Sequence, residues 1–289
     1  MSRLRSSLAL GLLVVGGYAT SLRPAIGGSE GSAALRLLGP ISSLAAGWQW
    51  VRVRMALYDG KPDLAYARAE LALELDPEAT DGWSYLASTM AFDRASPYRQ
   101  RNPLLRTRWT EVALEVLERG EASAAQPAEL AVQRGLTLVF VGNSEGAVPW
   151  EGGAAGAWGD AQRAFERATE LDPGYAEGWA QRAANRVLRL GGPTLVPDPE
   201  GRLLAFREGL ALLDRGRAVA RFPELLDFQR GALLTLLAES GDGALWPGGP
   251  EALYDEALVA YARAEASDFP LARVAAESAR DALAELADR

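Results

Sequence analysis

The chain of 289 residues is predicted to be all-α, built of repeated helix pairs. Three observations carry this. Leu75-Asp76-Pro77 followed by Gly82-Trp83 returns as Leu171-Asp172-Pro173 followed by Gly178-Trp179, an offset of 96 residues. Residues 60–141 align with 156–237 without a gap, with about 26 identities that include Pro97/Pro193, Pro103/Pro199, Gly120/Gly216, Pro127/Pro223 and Gln133-Arg134-Gly135/Gln229-Arg230-Gly231. Apolar and small residues recur at spacings of three and four between Pro and Gly stops, the signature of amphipathic helices. A fixed internal period of this kind points to a repeat architecture.

The elements follow in order. Ser6 to Leu22 carries no charge and lies between Arg5 and Arg23, with its strongly apolar centre confined to Leu8–Ala19. A bilayer-spanning helix needs about 20 residues, and Gly17-Tyr18-Ala19 has the small-x-small form of a cleavage site. Residues 1–23 are therefore expected to be either a signal-anchor that forms a single transmembrane helix or a cleaved signal peptide. The first reading places the protein in the inner membrane with its body outside the cytoplasm. The second leaves it periplasmic or secreted. Residues 24–45 read as a Gly/Ser/Ala tether with an amphipathic pattern at Leu37, Leu38, Ile41, Leu44 and Ala45, broken near Pro40.

The array is expected from about Ala46 to the C-terminus, in blocks 46–141 and 142–237 with a partial third copy over 238–289. A helix with Trp48, Val51, Met55 and Tyr58 stops at Asp59-Gly60. A second helix with Ala65, Ala69 and Ala72 stops at Leu75-Asp76-Pro77, since proline cannot continue a helix. The next pair opens with Trp83-Ser84-Tyr85-Leu86-Ala87, and later second helices carry Ala161-Phe165-Ala168 and Ala257-Tyr261-Ala264.

Over residues 46–77, and in these later motifs, the chain resembles the tetratricopeptide repeat (TPR) family. The resemblance implies a right-handed helical solenoid of about five TPR-like helix pairs with inter-helix insertions, plus a C-terminal capping helix near Leu271–Leu286. The 96-residue block is then two units and their insertions, at 94–103 and 142–156. The sequence departs from the family pattern at Arg182, where Leu is usual, and at Gln49, where Trp is usual. In the family the first helix of each pair lines a concave groove. By position, that surface would include Trp50, Arg54, Tyr58, Ser84, Ser88, Phe92, Val132, Leu136 and Phe140.

Composition narrows function. The chain has no Cys and no His, and Lys61 is its single lysine among 30 basic residues. Thiol chemistry, the commonest general base and most Schiff-base chemistry are thereby removed, and no metal-ligand spacing occurs. Ser144 and Ser240 have no base and read as turn residues. Glu151-Gly152-Gly153-Ala154-Ala155-Gly156 lacks the Gly-Lys-Ser/Thr of a phosphate loop. With Trp150, and with Trp246-Pro247-Gly248-Gly249 as its copy, it reads as a packed turn. No cofactor, metal, catalytic residue or small-molecule substrate is expected.

Residues 1–54 carry six arginines against Glu30, a balance of +5. With −8 for the whole chain, the remainder stands at −13. An acidic body is a poor nucleic-acid binder, while a basic end beside an apolar run suits a membrane surface. One basic insertion, Arg94, Arg99, Arg101, Arg106 and Arg108, reads either as a solvated loop balanced by the acidic body or as a contact for an acidic partner segment or anionic lipid headgroups. The expected function is a non-catalytic scaffold or adaptor of a bacterial-type envelope, holding a protein or peptide partner. An accessory subunit of a membrane complex and a carboxylate-dependent enzyme are the two other readings.

Overall fold

The computed structural model describes residues 40–287. All of their regular structure is helical, with eleven α-helices and no strand among the described residues. The signal-anchor or signal-peptide reading of residues 1–23, and the tether up to residue 39, fall outside the described residues. The described residues divide into two compact units, residues 40–77 and 78–287.

In the first unit, α1 (Pro40–Tyr58) and α2 (Pro62–Leu75) pack together. The described part of helix α1 begins at Pro40, so residues 40–45, expected as linker with a possible amphipathic helix, are helical. Gly60 closes the turn with φ +70°, and Lys61 N donates to Ala56 O at 2.8 Å. The small stripe Ala65, Ala69 and Ala72 is wholly buried.

The second unit runs through α3 (Thr80–Ser88), α4 (Pro103–Glu121), α5 (Pro127–Asn143), α6 (Gly153–Leu171), α7 (Ala176–Asn185), α8 (Pro199–Arg217), α9 (Pro223–Glu239), α10 (Gly249–Glu265) and α11 (Ala272–Ala287). Helices α3 and α7 each run on into a π-helical turn, Thr89–Arg94 and Arg186–Leu190. Pro at the first turn and an Asx cap set the start of α4, where Leu104 N donates to Asn102 Oδ1 at 3.0 Å. They do the same for α8, where Gly201 N donates to Asp198 Oδ2 at 2.8 Å. Each helix packs on the next, and α3 also packs on α5, α5 on α7, and α7 on α9.

The 96-residue repeat is visible atom by atom. A Cβ on Gly120 would stand 2.8 Å from Trp83 Cγ, and one on Gly216 2.5 Å from Trp179 Cγ. Gly135 abuts the Phe165 ring and Gly231 the Tyr261 ring, with a built Cβ at 2.3 and 2.5 Å from Cε1. Those glycines are retained because an aromatic ring occupies their side-chain space. The joints between pairs are equally matched: Ala125 N donates to Glu78 O and Arg221 N to Gly174 O, both at 3.0 Å. Ser144 and Ser240 both bond within their turns, Oγ donating to Val141 O at 2.6 Å and to Leu237 O at 2.7 Å. Gly152, Gly153, Gly248 and Gly249 all have positive φ, so the two Trp-x-Gly-Gly segments are turns that enter α6 and α10.

Candidate functional site

The groove residues separate into those the structure brings together and those it does not. Trp50, Arg54 and Tyr58 lie on α1 in the first unit, Trp50 half-buried and the other two exposed. In the second unit, Phe92 and Phe140 meet edge to face with ring centroids 5.0 Å apart. Beside them Ser88 Oγ accepts from Gln133 Nε2 at 3.4 Å, and Ser84 is half-buried one turn earlier. Val132 is corrected: it is buried in the cluster that holds Ala131, Leu138 and Phe165, and Leu136 is partly buried against the same cluster. Helix α5 is contacted by α3, α4, α6 and α7, and of Val132, Leu136 and Phe140 only Phe140, in its last turns, is exposed.

Two residues escaped the sequence reading. Leu188 and Leu236 stand at the 96-residue offset from Phe92 and Phe140, and all four are between 39% and 46% exposed. They lie near the ends of α3 and α7, in the π turns, and of α5 and α9. Applying the offset to the two phenylalanines would have found them. The two positions of the first block thus keep a partly exposed apolar side chain in its copy.

The basic insertion is mostly employed within the chain. Arg99 pairs with Asp93 at 2.6 Å, Arg108 with Glu111 at 3.2 Å, and the Arg94 guanidinium lies 5.1 Å from the centre of the Trp109 ring. Arg106 donates to the Gln100 and Arg101 carbonyls at 3.0 and 3.1 Å and, across to the next insertion, to Ala147 O. Its copy Arg202 donates to the carbonyls of Val196 and Pro197 and forks onto Asp242, both bonds 2.6 Å. Arg106 is therefore a staple that both blocks possess, whose duty is to hold the insertion closed. Of the five, Arg101 is exposed and has its carbonyl, rather than its guanidinium, engaged.

A shallow, open cleft of about 340 Å³ lies among α6, α7 with its π turn, and α8, lined by Gln162, Glu166, Arg182, Arg186, Glu208 and Arg215. Arg182 donates to Glu166 at 3.1 Å and Arg186 to Glu208 at 2.5 Å. The buried Asn185 orients Gln162 with a 3.0 Å bond. Its inner charges are already matched, which suits polar recognition more than bond making. Burial pushes the carboxyls of Glu121 and Glu129 above their ordinary range, the first against the opposing pull of Arg134, and neither lines this cleft. Burial also pushes the Tyr175 hydroxyl up to about 12. Among the described residues no group of acids is placed to hold a metal ion, and no helix is long and apolar enough to cross a membrane.

Comparison with protein-family models and with curated proteins returned no match.

Proposed function

We propose that the protein is a non-catalytic interaction scaffold of a bacterial-type envelope, folded as a right-handed TPR-like solenoid and tethered through its N-terminal segment. The helix order supports this reading, because first helices α3, α5, α7 and α9 stack successively on one another. The observation that carries it is the set Phe92, Phe140, Leu188 and Leu236, exposed at equivalent places on those four stacked helices or the π turns that extend them. A partner segment with apolar side chains would lie across these helices, anchored by the aromatic pair and flanked by Ser84, Ser88 and Gln133. Aromatic anchors beside adaptable polar groups are where binding energy concentrates.

Affinity purification of the full-length protein from membranes, followed by mass spectrometry, tests this. A co-purifying partner that is lost in F92A/F140A, with circular dichroism and cooperative unfolding retained, is the expected result. Recovery of the protein alone, or a partner retained by the double variant, would overturn it.

A further inference from the structure

Helix α1 is apolar on two faces. Ala46, Val53 and Ala56 are buried on one side. On the other, Leu44, Trp48, Val51, Met55 and Tyr58 are between 48% and 95% exposed. At about 100° per residue these five fall within roughly 80° of arc, a continuous stripe four turns long. A helix apolar all round is normally covered on every side, so the second face calls for an occupant.

Charge selects among occupants. On the same projection Arg52 and Arg54 stand about 80° to either side of Leu44, and α1 contains no acidic residue. A second copy of α1 would set arginine flank against arginine flank, the like-charge arrangement that coiled-coil edges avoid. The chain's own first 39 residues carry Arg3, Arg5, Arg23 and Arg36 against Glu30, so they share the sign. An apolar stripe with Trp and Tyr, edged on both sides by guanidinium groups on long apolar stems, instead matches a helix lying in an anionic lipid surface. The +5 balance of residues 1–54 extends the same complementarity to the adjoining chain.

We propose that the face of α1 formed by Leu44, Trp48, Val51, Met55 and Tyr58 is a membrane-surface contact, with Arg52 and Arg54 at the headgroups of anionic lipids. This contact is separate from any insertion of residues 1–23, and it does not depend on the partner surface at Phe92 and Phe140.

The absence of cysteine makes a local test clean. Single-cysteine variants V51C, M55C and, as a control on exposed Glu115 of α4, E115C carry an environment-sensitive fluorophore in the full-length chain. The label at 51 and 55 should shift blue on vesicles of equal parts phosphatidylcholine and phosphatidylglycerol. It should stay unshifted at 115, and at all three positions on phosphatidylcholine alone. R52Q/R54Q should raise the lipid concentration at half-shift about 30-fold, with unchanged circular dichroism. Because the readout is local, attachment through the N-terminal segment alone would leave positions 51 and 55 unshifted, and that result overturns the proposal. So does an equal shift on neutral vesicles, or a concentration-dependent shift without vesicles, which would mark contact with a second copy or another protein.

Discussion

Within the second unit, the two 96-residue blocks agree at the glycines that aromatic rings press on and differ at two apolar positions of α3 and its π turn. Gly120 under Trp83 matches Gly216 under Trp179, and Gly135 under Phe165 matches Gly231 under Tyr261. Arg106 and Arg202 hold the same pair of loop carbonyls. By contrast Leu86 and Met90, buried at 2% and 5%, are replaced by Arg182 and Arg186, which line the polar cleft. The difference teaches which residues define the fold. Close helix approach leaves no room for a Cβ at the glycine, whereas the position of Leu86 carries in the second block an arginine that Glu166 and Thr169 receive.

The largest expected effect comes from the shared contacts. F165A and Y261A should each cost about 3–5 kcal/mol in denaturant unfolding, because each empties a fully packed site. A much smaller loss for Y261A would break the equivalence of the blocks. Next, the asymmetric position should respond in opposite ways. L86R should lose about 3 kcal/mol or more by placing a charge at a buried apolar site, while R182L, which restores the first block's residue, should stay within about 1 kcal/mol.

Smaller again, G135A and G231A should each cost about 1–3 kcal/mol by overpacking. In an F165A background G135A should cost much less, since the ring it meets is gone; a double-mutant cycle measures this. The smallest effect separates the two staples by pH. The fork from Arg202 holds the Asp242 carboxyl below its ordinary value of 3.8. Its contribution is therefore present above that value and lost as pH falls through the lowered one. The stability gap between wild type and D242N should close on acidification, whereas the gap for R106Q, whose partners are carbonyls, should not follow this titration. Thermal melts at stepped pH distinguish the two.

Much of the helical layout was legible in the sequence because punctuation is local. Pro103, Pro127, Pro199 and Pro223 open helices where their missing N–H is harmless, and Gly60, Gly152 and Gly248 adopt conformations that other residues avoid. Val132 misled because periodicity gives a stripe, not the number of neighbours that cover it. The role of Arg106 was hidden because its acceptors, Ala147 O and the Gln100 and Arg101 carbonyls, are backbone atoms that no residue pattern announces.

The sequence by itself determined the period, the helix pairs and the absence of thiol and imidazole chemistry, since these depend only on residue identity and spacing. Tertiary structure decided which side chains meet. It paired Phe92 with Phe140 across 48 residues, gave four of the five insertion arginines partners within the chain, and left one face of α1 exposed among the described residues. Exposure is a property of three or four helices at once, and no single helix encodes it.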